Sequence, residues 1–117
     1  MAEKFDSDEA KKYLFAKEEK EKEQRENERK LLLKKAISIL EKEFKGSSVE
    51  VYLVGSILRP FSFSIHSDID VVLKNYIGDR FDFWVKLEKE MGRKVEIIPF
   101  ETCHFQEFVI KEGFRVI

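Results

Sequence analysis

Residues 7–45 contain neither glycine nor proline and consist mostly of strong helix formers. A chain of 117 residues supports one domain with one core. A single helix therefore takes about a third of it, and residues 46–117 must supply the rest. The apolar residues of this helix are unevenly spread. Tyr13, Leu14 and Phe15 form an early cluster, residues 17–30 hold no apolar side chain, and Leu33, Ala36, Ile37, Leu40 and Phe44 return at helical spacing. The last group reads as a face packed on the domain. The middle stretch, KEEKEKEQRENERK, reads either as a solvated helix projecting from the domain or as a disordered arm. Its Glu and Lys or Arg pairs at spacings of three and four contribute about 0.2–0.5 kcal/mol each to a helix. Residues 1–30 are accordingly set apart as a charged N-terminal arm, and residues 31–117 as the domain. Residues 1–6 are expected to fray, with Ser7 capping the helix ahead of Asp8 and Glu9. An aromatic cluster held out on such an arm suits contact with a partner or a second copy of the chain.

Gly46, Ser47 and Ser48 end the helix, glycine being the residue that most readily takes the left-handed closing conformation. Residues 49–54 then read as a first strand, 56–59 as a short helical turn, 60–67 as a loop and 68–74 as a second strand. Residues 80–91 carry Phe83, Trp84, Leu87 and Met91 on a helical stripe closed by Gly92, which assigns Trp84 to the core. Residues 95–99 form a third strand stopped by Pro99, and residues 102–111 a last helix with Phe105, Phe108 and Val109 as its apolar side. Residues 114–117 can add an edge strand. This order predicts an α+β fold, a small mixed β-sheet with helices packed on it, preceded by a long charged N-terminal helix. Because a helix joins the second strand to the third, those two can lie parallel and adjacent.

The chemistry concentrates in the second strand. Asp68 and Asp70 are two residues apart, so in a strand their carboxylates share one face while Ile69 and Val71 take the other. Such a pair repels itself at neutral pH unless a cation sits between the groups or water screens them. With the third strand alongside, Glu96 joins them and three acids converge. The charge balance, 22 Lys and Arg against 23 Asp and Glu with a pI near 6.2, argues against binding nucleic acid through the overall field. Cys103 is the one cysteine, so no internal disulfide forms and no zinc pattern is present. There is no apolar run of membrane-spanning length, and the N-terminus is charged rather than signal-like. These features point to a cytoplasmic protein with no membrane partner.

Gly55-Ser56, then Arg59 three places on, then a loop, and then Ser67-Asp68-Ile69-Asp70-Val71 closely resemble the signature of the minimal nucleotidyltransferases, small members of the polymerase-beta-like superfamily. Val95-Glu96-Ile97-Ile98 stands where that family has a strand with its third acid, and Ile110-Lys111-Glu112-Gly113 resembles its closing helix end. The resemblance covers residues 31–117. It implies the polymerase-beta-like nucleotidyltransferase fold and transfer of a nucleoside monophosphate, AMP from ATP, with pyrophosphate leaving. It further implies two Mg2+ ions held by Asp68, Asp70 and Glu96, the glutamate serving alternatively as base on the incoming hydroxyl. Gly55 would let backbone approach the phosphates, Ser56 would donate to them, and Arg59 would lie within their reach. The chain departs from the family pattern at Glu96, where aspartate is usual, and at Pro60, where glycine is common. Phe61, Phe63 and Ile65 also stand where more polar loop residues are usual.

A domain this small has no room for an elaborate acceptor site. Minimal nucleotidyltransferases typically pair with a small all-helical HEPN-type protein, an RNase toxin that they neutralise, in several cases by attaching AMP to it. The resemblance thus implies a protein adenylyltransferase serving as antitoxin in a toxin–antitoxin pair. A non-catalytic module that masks its partner by contact is the alternative, and transfer to a small molecule is the next. In the plainest reading Arg59 and Glu96 are surface residues, His66 belongs to a loop, His104 caps or packs the last helix, and Cys103 is an inert small side chain.

Overall fold

The glycine-free run forms one helix, α1 (Ser7–Phe44), in a computed structural model that describes residues 7–117. The reading of residues 1–6 lies outside the described residues. At 1.5 Å per residue such a helix is about 57 Å long, which makes it the main contributor to the 73 × 29 × 20 Å extents of the molecule. Its C-terminal half packs on the body through Ala36, Leu40 and Phe44, with Leu33 and Ile37 partly covered beside them. Tyr13, Leu14 and Phe15 stand exposed near the other end. Gly46, with φ of 79°, turns the chain out of the helix, and the Ser47 hydroxyl donates to the Phe44 carbonyl at 2.8 Å.

Four strands follow, β1 (Glu50–Val54), β2 (Ile69–Lys74), β3 (Val95–Pro99) and β4 (Phe114–Arg115), in the sheet order β3-β2-β1-β4. β1 runs antiparallel to β2 and β4, while β2 and β3 are parallel, as the connecting helix α2 (Arg80–Met91) allows. The Asp79 carboxylate accepts from the amides of Phe81 and Asp82 to start α2, and Gly92 in the left-handed conformation ends it. The mixed α+β architecture and its long leading helix therefore follow the pattern read from the residues.

Alternation divides the sheet into two apolar layers. Val51, Leu53, Ile69, Val71, Leu73 and Val95 face α1 and α2, where they meet Leu40, Phe44, Phe83, Leu87 and Met91. Leu40, Leu53 and Leu73 are almost wholly buried, each such side chain contributing roughly 1.5–3 kcal/mol relative to exposure. On the opposite face Tyr52, Val54 and Val72 pack against Phe100 and Val109, the latter from α3 (Gln106–Glu112).

Two assignments read from the sequence are corrected here. The last helix starts at Gln106 rather than Thr102, which belongs to a 3₁₀ turn (Phe100–Thr102), and only Val109 of the expected apolar side is buried; Phe105 and Phe108 remain exposed. Trp84 lies at the rim, 36% exposed, because α2 sits at the open side of β3 and only its Phe83–Leu87–Met91 stripe reaches the core. Among the described residues no helix is long and apolar enough to cross a membrane.

Candidate functional site

β1 and β2 meet at their ends in a close backbone approach. Val54, the last residue of β1, pairs with Asp70, and the next residue, Gly55, takes φ of 88° and ψ of −157°. Side-chain-bearing residues avoid that region. A Cβ at Gly55 would lie 2.6 Å from the Asp70 carboxylate oxygen Oδ2. The glycine is thus required twice, by its torsion and by the carboxylate pressed against it. Ser56–Leu58 then form a 3₁₀ turn closed by amides of Leu58 and Arg59 donating to the carbonyls of Gly55 and Ser56, both at 3.1 Å.

On the other side of β2, Asp70 is in parallel register with Glu96. In-register side chains of neighbouring strands share a face, and Asp68 belongs to the same alternation. The face is the one carrying Val54 and Val72, beyond the cover of α3. The sheet therefore brings together Gly55, Asp70 and Glu96 across three adjacent strands, with Asp68 just ahead of β2. Asp70 is half-buried, and Asp68 and Glu96 are exposed. Burial pushes the Asp70 carboxyl up to about 6, aided by the negative charges of Glu96 and Asp68. Among the described residues no cationic side chain forms an ion pair with any of the three acids. Arg59 is exposed on the turn after Ser56.

The loop between Gly55 and Asp68 is anchored from both ends, and the first anchor was not anticipated. Glu26 and Arg29 lie in the stretch of α1 without apolar residues, yet they are only 7% and 6% exposed. The loop covers them; they are not sunk in the apolar core. Arg29 donates through Nε to Glu26 Oε2 at 2.9 Å and through Nη1 to the Ile57 carbonyl at 2.8 Å. Glu26 Oε2 in turn accepts from the amide of Phe61 at 2.8 Å, where φ is 62°. Hydrogen bonds from Arg29, then from the Phe61 amide, hold the Glu26 carboxyl down at about 2. The domain's grip on α1 thus reaches back to Glu26, and the charged stretch is a helix that is solvated only up to its C-terminal end. At the far end of the loop the Arg93 guanidinium lies 4.3 Å over the Phe63 ring and donates to the carbonyls of Ser64 and Ser67.

Among the described residues no three histidine, cysteine, aspartate or glutamate side chains are drawn together as a ready-made metal cage. The donor chemistry nevertheless suits a hard divalent cation. Asp68, Asp70 and Glu96 offer only oxygen, their charges crowd one another, and the most buried of them is pushed towards protonation by its burial first and by that crowding second. Set against known proteins, the chain matches no family model, no curated protein and no solved structure.

Proposed function

We propose that this chain is a metal-dependent nucleotidyltransferase with the polymerase-beta-like fold, of the minimal type, which moves AMP from ATP to a partner protein. The observation that carries the reading is the register of Asp70 with Glu96 on adjacent parallel strands, with Gly55 closing on the same carboxylate from the end of β1. Phosphoryl-transfer sites need charge neutralised at the transferred phosphorus and at the leaving group, and a backbone able to approach the phosphates closely. Gly55 and the turn behind it supply the approach.

In this reading Asp68, Asp70 and Glu96 hold one or two Mg2+ ions. When bound, the ions supply neutralisation of triphosphate charge. The Ser56 hydroxyl and the amides at the start of its turn donate to the β- and γ-phosphate oxygens, and Arg59 swings from solvent to the same group. Glu96, which is exposed, serves alternatively as the base that takes the proton of an incoming hydroxyl. The new bond joins that oxygen to the α-phosphorus, the bond from the α-phosphorus to the bridging oxygen breaks, and pyrophosphate leaves with the electron pair. The clasp of Glu26 and Arg29 keeps the turn that carries Ser56 and Arg59 in place.

The resemblance to the minimal nucleotidyltransferases favours a separate chain as acceptor; a small helical HEPN-type toxin, with this chain as antitoxin, is the partner we propose. The test is to incubate the purified protein and its gene neighbour with Mg2+ and ATP labelled at the α-phosphate. Label should pass to the neighbour, and Asp68→Asn with Asp70→Asn should abolish transfer. Neutralisation of the partner that survives the double substitution would mark a masking module instead. ATP binding that is identical in EDTA would remove the metal from the proposal.

A further inference from the structure

Beyond Glu96 the sheet ends, and α2 builds a second feature on that open edge. The Ile69 amide donates to the Lys94 carbonyl, so alternate residues of β3 turn towards β2 and Val95 turns outward. Both outward groups of Val95 are taken by α2. Trp84 Nε1 donates to the Val95 carbonyl at 2.6 Å, and the Val95 amide donates to Glu88 Oε2 at 2.9 Å. The indole is thereby held in one orientation with its only donor used, and it remains 36% exposed. Phe81 stands beside it, 66% exposed, with ring centroids 5.8 Å apart and planes at 51°. The two rings line a groove of about 790 Å³, within the range of small-molecule sites. Arg80, Lys94, Asp68 and Glu96 also line it.

We infer that this groove takes the base of the nucleotide, with a purine stacked on Phe81 and Trp84. The inference rests on the proposed nucleotidyl-transfer reading and assigns a place to the part of the substrate that reading leaves open. Its ground is the order of chemistry across the sheet. Gly55 and Ser56 lie at the end of β1, Asp68 and Asp70 at β2, Glu96 at β3, and the aromatic pair beyond β3. A triphosphate whose tail lies at Gly55 and whose α-phosphate lies at the acids extends its nucleoside over Glu96 into the groove. Arg80 and Lys94 offset the carboxylates along that path. Stacking reads the face of a ring and not its hydrogen-bonding edge, so ATP and GTP should bind within about tenfold of each other.

Trp84 is the one tryptophan of the chain, which makes its emission a direct reporter. The wild-type protein with Mg2+ is titrated with ATP and, separately, with tripolyphosphate, following emission and heat together. ATP should bind and quench Trp84, while tripolyphosphate should bind without quenching. Phe81→Ala should weaken ATP about 5- to 100-fold and tripolyphosphate by no more than about twofold. Heat of ATP binding without quenching, with Phe81→Ala indifferent, overturns the groove assignment and leaves the phosphate site standing; the groove is then a surface for an apolar partner. Equal quenching by tripolyphosphate also overturns it. Absence of any metal-dependent ATP binding overturns the nucleotidyltransferase reading and the groove with it. Because the quenching arm uses the unaltered protein, the outcome does not depend on a variant folding.

Discussion

Replacing Asp70 with asparagine should stabilise the metal-free protein at neutral pH. The folded state raises this carboxyl from 3.8 to about 6, chiefly by burial and then through the charge of Glu96. Between those two pH values the folded chain holds a proton that the unfolded chain has released. Stability therefore falls as pH rises through the window, and the penalty is fully present above about 6. Two units at about 1.4 kcal/mol each set an upper bound of about 3 kcal/mol. Asp70 is only half-buried, and solvent screening brings the figure to about 1–1.5 kcal/mol. Asparagine keeps the shape and removes the charge. Urea unfolding in EDTA should show Asp70→Asn more stable by that amount at pH 7.5, with the difference shrinking to a few tenths of a kcal/mol near pH 4. Adding Mg2+ should raise the stability of the wild type and leave the variant unmoved. A variant less stable than wild type at pH 7.5 would mean that the charge is compensated within the fold, and the crowding argument would fail.

Gly55→Ala forces a side chain into the glycine-only region and against Asp70 Oδ2, so unfolding should show a loss on the order of 1–3 kcal/mol. Part of that loss should return when Asp70→Ala is added, and strict additivity in the double-mutant cycle would refute the contact. Glu26 is held at about 2 against an ordinary 4.5, so its contribution to stability is complete above 4.5 and is lost as pH falls towards 2. Glu26→Gln should flatten this acid limb and speed amide exchange at Phe61; an unchanged acid limb would show that the clasp is not coupled to folding. Deleting residues 1–25 should leave metal-dependent ATP binding intact, whereas deleting residues 1–30 should weaken it by freeing the loop at Ile57 and Phe61. Equal binding by both truncations, measured calorimetrically, would deny the clasp any part in the site.

The sequence alone was enough for most of the local elements and for one long-range relation. Apolar residues at helical spacing specify the C-terminal half of α1, while the charged stretch before it stayed open between helix and disordered arm until the fold showed one helix; the Phe83–Leu87–Met91 spacing with Gly92 behind it specifies α2 and its buried stripe. The strand–helix–strand order makes β2 and β3 parallel neighbours, and this was sufficient to foresee that Glu96 would come beside Asp70. Tertiary structure decided what each face meets. Glu26 and Arg29 stand in a run of charges at the same spacings as their neighbours, and nothing local marks them out. Only the position of the Ile57 carbonyl and the Phe61 amide against that turn of α1 converts one such pair into a buried clasp. Trp84 differs from Phe83 by one step around α2, about 100° of rotation. Whether that step ends in the core or over the edge of β3 depends on where the sheet stops. The apolar side of the last helix parted for the same reason, since Val109 found the sheet while Phe105 and Phe108 did not. Periodicity determines which side chains travel together; the placement of elements determines which of them are covered, and charged pairs and aromatic rims carry no periodic signal of their own.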